Sequence, residues 1–216
     1  MAESCCSTQL YYNLFADLCW DPDYKEPTPA QVCEEIQAPE ISERHVWMCL
    51  QYLKKTATGP DMIPYWIWKN HAEILAPITY KIWNLSLKSS TWPSSWKRAH
   101  MTPLPQVDVP KDKSEYRGIS VTPVITRASE RSVYNIHARD TVEQHLSSTQ
   151  FAYRTGSSCT DALVSMQHAV YSYLDKPNCK AVRLFAMDFR EAFDCVNHEM
   201  LSNKLKRLPL DPNIIN

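Results

Sequence analysis

The chain has 216 residues, with 23 Lys and Arg against 24 Asp and Glu, 44% hydrophobic residues, 15 prolines and three glycines. Such a composition suits a chain that buries a core on the scale of one ordinary domain, or a domain and a fragment. Gly59, Gly118 and Gly156 stand far apart, which excludes a Walker loop or a dinucleotide fingerprint, since both need clustered glycines to bring backbone against phosphate. Any phosphate chemistry must use side chains or metal.

The near-neutral total hides an asymmetry. Residues 1–50 hold 2 basic and 9 acidic residues, leaving 21 basic and 15 acidic to the rest. Lys88 to Arg131 carries eight basic residues against Asp108, Asp112, Glu115 and Glu130, which suits either a polyanion partner or a solvated face. No run approaches the roughly 18 to 20 apolar residues of a membrane span, and MAESCCSTQL lacks the order of a signal peptide. The chain is therefore expected to be intracellular, nucleus and cytoplasm undistinguished, with no membrane partner. The eight cysteines form no pair at zinc-ligand spacing and read as reduced thiols.

Residues 1–40 form an acidic, proline-punctuated lead-in, extended but for a short helix around Thr8–Leu18. From Ser42, a capping residue, Val46, Cys49, Leu50 and Leu53 recur at helical spacing, and Lys54 and Lys55 suit the last turn. TATGPDMIP then makes a turn. Ile74, Leu75, Ile78, Ile82 and Leu85 predict a second helix with one buried face, which Pro77 breaks or kinks. KRAHMTPLP reads as an edge strand and YRGISVTPV as a strand and turn. Pro123 opens a long helix through Val124, Ala128, Val133, Ile136 and Val142. A helix over about Thr160–Leu174 presents Leu163, Met166, Ala169, Val170 and Tyr173 as a core stripe. AVRLFAMD, 181–188, reads as a buried strand delivering Asp188 at its end, and Asn197–Arg207 as a final helix. The order of elements predicts an α+β layer structure.

A carboxylate at the end of an apolar strand is a recurrent way to present oxygen to Mg2+. Asp188 and Asp194 are too far apart in sequence to lie side by side on one strand, and Glu191 and Asp194 also read as solvated charges at a helix start.

FAMDFREAFDCVNHEML, 185–201, resembles motif A of reverse transcriptases of non-LTR (LINE-type, jockey-like) retrotransposons. The resemblance continues upstream, in the family's order, through LKKTATGPDMIP, WPSSWKRAHMTPLPQ, YRGISVTPVITRASERSV and QFAYRTGSSCTDAL, covering about residues 41–216. It implies a right-hand polymerase, with fingers over 41–180 and the start of the palm, truncated, over 181–216. By the same resemblance Asp188 is the first catalytic aspartate and a ligand of Mg2+, and the Phe189 carbonyl is a further ligand. Phe193 closes over the sugar of the incoming dNTP, unless it is a core residue. Arg117 grips the triphosphate, unless it pairs with Glu115 or Glu130. Lys97, Arg98, Lys111 and Lys113 are the candidate contacts to an RNA template and DNA primer. Gln106 and Gly118 depart from the family, which commonly has Lys and Pro there.

Two-metal nucleotidyl transfer needs further carboxylates, which the family takes from an Asp-Asp turn, and the sequence contains no Asp-Asp pair. The expectation is a reverse transcriptase piece, fingers and first palm motif, inactive alone. The alternatives are a non-catalytic nucleic-acid or protein-binding remnant, and a relic with an incomplete core. Oligomeric state is not legible.

Overall fold

The computed structural model describes residues 23–32, 37–112, 115–189, 192–193 and 195–216. The helix expected over Thr8–Leu18 lies outside them. Two compact units are formed, one from the described residues up to Arg139 together with Val196–Asn216, the other from Asp140–Cys195.

In the first unit, the Ser42 hydroxyl accepts from the His45 N–H at 3.3 Å and starts helix α1 (Glu43–Gln51). Val46 and Leu50 are fully buried and Leu53 is partly so, as their spacing predicts. Cys49 is half-buried, its Sγ 3.1 Å from Ser132 Oγ, and burial pushes the thiol pKa up. The helix closes at Gln51, where Tyr52 leaves helical geometry, so Lys54 and Lys55 lie beyond it rather than in its last turn.

The turn that follows is tied by Met62 N–H donating to Gly59 O at 3.0 Å, with Met62 at φ +56°. Helix α2 (Tyr65–Asn70) leads into α3 (Ala72–Ser89), which runs unbroken through Pro77. The face α3 buries is not the predicted one. Ala72, Ala76, Thr79, Trp83, Ser86 and Leu87 are buried, whereas Ile74, Ile78, Ile82 and Leu85 are exposed. Both sets follow the helical period, and small residues win because they let α1 approach closely while Trp83 fills the remaining space. The Asn84 side-chain amide grips the backbone of buried Ile41 from both sides, accepting from its N–H at 2.8 Å and donating to its C=O at 2.9 Å.

After a 3-10 turn at Ser94–Lys97, strands β1 (His100–Pro105) and β2 (Tyr116–Val121) pair antiparallel, from His100 against Val121 to Pro105 against Tyr116. Both are edges of a two-stranded sheet, which is why β1 tolerates its prolines. Pro123 opens α4 (Val124–Val133), which buries Val124, Ile125 and Ala128 as well as Thr126, Ser129 and Ser132. A π turn over Tyr134–Ala138, closed by Arg139 N–H donating to Tyr134 O, shifts the phase of the helix, so Ile136 is exposed rather than buried.

Helix α7 (His198–Leu205) starts at Asn197, whose Oδ1 accepts from Met200 N–H at 2.9 Å. Beyond it α8 (Pro212–Ile215) packs on α3, and the Ser90 hydroxyl donates to buried Asn213 at 2.9 Å. The last residue, Asn216, pairs through its amide with both backbone groups of Ala30.

The second unit holds most of α5 (Arg139–His145) and all of α6 (Cys159–Leu174), the latter started by a reciprocal cap between Ser158 and Asp161. Helix α6 buries none of its residues, and Leu163, Met166 and Tyr173 of the expected core stripe are exposed. Residues 181–189 form no strand, contrary to expectation, and Leu184, Phe185 and Met187 face solvent. A buried strand requires neighbours to pair with, and among the described residues β1 and β2 are the only strands. The architecture is thus helical with one small antiparallel sheet. No helix among the described residues is long and apolar enough to cross a membrane.

Gly59 has no room for a side chain. A Cβ there would meet Pro123 Cα and N at 2.5 Å and Thr122 C at 2.7 Å. We expect Gly59→Ala to destabilise by about 1–3 kcal/mol, the usual cost of overpacking. An unchanged denaturation midpoint, with tryptophan fluorescence as the probe, would contradict this.

Candidate nucleic-acid interface

The hairpin β1–β2 positions Arg117. It faces Leu104 across the ladder and its side chain is exposed, next to Gly118, which faces Pro103. The Arg117 side chain pairs with neither Glu115 nor Glu130, and among the described residues it has no ion pair or hydrogen bond. Glu115 is otherwise engaged. Its Oε2 accepts from the backbone N–H groups of Lys111 and of Asp112, the latter at 3.1 Å, and its own N–H donates to Asp112 O at 3.1 Å. Gln106 N–H donates to Glu115 O at 2.8 Å, closing the loop onto the end of the ladder. The hydrogen bonds from Asp112 and Lys111 hold the Glu115 carboxyl below the usual carboxylate range. Bonded residues Lys111, Asp112 and Glu115 therefore precede a guanidinium with no partner among the described residues, which suits the forked recognition of phosphate.

The expected basic contacts cluster around the same elements. Lys97 ends the 3-10 turn and makes an exposed ion pair with Glu26 at 3.9 Å, of the kind worth little in water. Arg98 and Lys111 are exposed, and Lys113 lies outside the described residues.

Asp188, Phe189 and Phe193 belong to the other unit. The Asp188 side chain is exposed, and its Oδ1 accepts from Phe189 N–H at 2.9 Å. Phe189 is 86% exposed and Phe193 is 66% exposed, so Phe193 is not a core residue. Asp188 and the Phe189 carbonyl offer hard oxygen donors of the type Mg2+ prefers. Their number falls short of a metal site: among the described residues no group of three or more His, Cys, Asp or Glu could hold an ion. Glu191 and Asp194 lie outside the described residues.

Arg127 went unrecognised as a sequence feature beyond its charge. Its guanidinium donates to Thr56 Oγ1 at 2.7 Å and to Ala57 O, clamping the start of α4 to the turn after α1. Nothing in the spacing marks so distant a partnership.

Residues 109–216, half of the chain, match the family described as "Reverse transcriptase (RNA-dependent DNA polymerase)". The chain is also similar to "Probable RNA-directed DNA polymerase from transposon BS" of Drosophila melanogaster, at 30% identity over 130 residues. That stretch is 59% of this chain and 14% of the fly protein.

Because the folded-state pKa of Glu115 is depressed, the loop support it gives is present above the ordinary glutamate range. It is lost as pH falls through the lowered value. Amide exchange at Lys111 and Asp112 should therefore rise over acid exchange at unbonded amides as the carboxylate protonates. Glu115→Ala, which removes the acceptor oxygen, should raise exchange at both amides at neutral pH. Protection at these two amides that persists in Glu115→Ala at neutral pH would refute the assignment.

Proposed function

The chain belongs to the reverse transcriptase (RNA-dependent DNA polymerase) family, and from that premise we propose that it supplies the fingers and first palm motif of a non-LTR, LINE-type retrotransposon polymerase. The parent reaction is Mg2+-dependent addition of dNTPs to a DNA primer copied from RNA. The observation that carries the reading is the family match over 109–216, which contains both YRGIS and the motif A segment. The Arg117 guanidinium, without a partner among the described residues, supports it as the triphosphate contact. Phe193, exposed rather than packed, is available to sit against the nucleotide sugar. Lys97, Arg98, Lys111 and Lys113 supply positive charge for the template and primer backbone.

Mg2+, when bound, draws charge from the transferring phosphoryl group. This chain brings the Asp188 carboxylate and the Phe189 carbonyl to it, and the remaining carboxylates are not among its described residues. With no Asp-Asp pair in the sequence, the 216 residues by themselves bind substrates without polymerising. The exposed, strandless motif A segment favours a second reading, a non-catalytic nucleic-acid-binding protein.

Binding of a labelled RNA–DNA primer-template by the purified chain separates these. The expected result is salt-dependent binding, weakened by Lys97→Glu, Arg98→Glu and Lys111→Glu, with no dNTP incorporation. A matching dNTP should tighten it, and Arg117→Ala should remove that tightening. Binding indifferent to dNTP leaves the second reading, and no binding sinks both. Incorporation abolished by Asp188→Ala would show that the 216 residues suffice for catalysis.

A further inference from the structure

The first unit contains a cleft of about 430 Å³ between the end of α1 and one face of α4. Its rim carries Lys54 and Lys55 from the segment after α1, and Arg127 and Arg131 from one side of α4, one helical turn apart. None of the residues lining it is acidic. The acids acting on Arg127 are Asp61 and Glu130, both outside the lining, and Arg131 acts on it as a like charge. Lys54, Lys55 and Arg131 are exposed, and among the described residues none of them forms an ion pair. Arg127 is held in place by Thr56 and Ala57, while its Nε lies buried with no hydrogen-bond partner. Four cations line the cleft with no acid among its lining residues, so they repel one another across it and an anion there relieves that repulsion.

Tyr52 belongs to the same lining and is 74% exposed. It sits where α1 gives way to the lysine pair. Met48, Cys49, Leu53 and Val124 supply an apolar floor. Cations that track phosphates beside an exposed aromatic ring make the arrangement that holds unpaired nucleic acid, because a phosphate satisfies the charge and only an unstacked base can lie on the ring. The volume falls within the range of roughly 300–1,000 Å³ that small-ligand sites occupy.

We propose that this cleft is a binding site for single-stranded RNA, with Lys54, Lys55 and Arg131 on its phosphates and Tyr52 stacked on a base. Arg127 is a positioning residue, fixing the cleft wall through Thr56 and Ala57. The inference rests on the polymerase reading for its choice of RNA, and it adds a site apart from the hairpin residues Arg117 and Lys111.

The test is fluorescence anisotropy of the 216-residue chain with a labelled single-stranded RNA oligonucleotide, over a series of salt concentrations. Lys54→Gln with Lys55→Gln should flatten the plot of log affinity against log salt by about 1.4, since each phosphate contact on a single strand contributes about 0.7. Tyr52→Ala should weaken binding about tenfold at unchanged slope, and Tyr52→Phe should restore it. All three side chains are exposed, so the variants keep the fold, which circular dichroism checks. Wild-type binding that ignores every one of these changes overturns the cleft, and if it still responds to Lys97→Glu and Arg98→Glu the polymerase reading survives. No RNA binding at all overturns both. Equal binding of duplex, or full competition by inorganic phosphate at concentrations matching the oligonucleotide phosphates, would show a phosphate site without a base contact and would also overturn the proposal.

Discussion

Gly59 lies so close beneath Pro123 that no side chain fits between them, and Arg127, one turn further on, reaches back to Thr56 and Ala57 on the same turn. This double attachment fixes the chain after α1 to the first turn of α4, although more than sixty residues separate them in sequence. It also sets where β2 ends, because Thr122 and Pro123 follow Val121 directly and are part of the contact. The walls of the basic cleft, which come from the chain after α1 and from α4, follow from that approach. An arginine holding a carbonyl and a hydroxyl adds directional bonds where apolar contact alone would leave the turn free to slide.

Above this anchor the core is assembled mainly by three helices, with Ile41 at its edge. Ala72 and Ala76 of α3 permit close approach, and Trp83 fills the volume left against Val46, Leu50, Ile125 and Ala128. The α3 face that carries Ile74, Ile78, Ile82 and Leu85 turns outward. Hydrophobicity alone does not choose between two helical faces of similar period. The choice depends on which one matches the shape of the neighbouring helices, and shape is a property of the assembled pair.

That distinction marks how much was legible beforehand. Local signals translated well: Ser42 caps its helix, a helix follows Asn197, Pro123 opens α4, TATGP turns, and YRGISV pairs with the strand before it. Each depends on chemistry within a few residues. The failures came where a distant partner decides. The buried face of α3, the exposure of α6 and the phase change at the π turn all depend on what lies across from each helix. For the candidate site, sequence named Arg117 and Asp188, while the engagement of Glu115 with its loop and the convergence of Lys54 and Lys55 on Arg127 and Arg131 required coordinates.

The motif A segment is the sharpest case. Leu184, Phe185, Met187 and Phe189 are apolar enough that burying them would contribute roughly 1.5–3 kcal/mol for each large side chain, yet all four face solvent. A strand, however, carries two rows of backbone donors and acceptors, and burying those without partners costs comparable free energy for every group left unpaired. β1 and β2 are paired with each other, at a different place in the sequence. For 181–189 the balance therefore favours hydrated backbone until another strand is offered to it. Strand form in this segment, and with it the placement of the Asp188 carboxylate, therefore depends on pairing that the described residues do not supply.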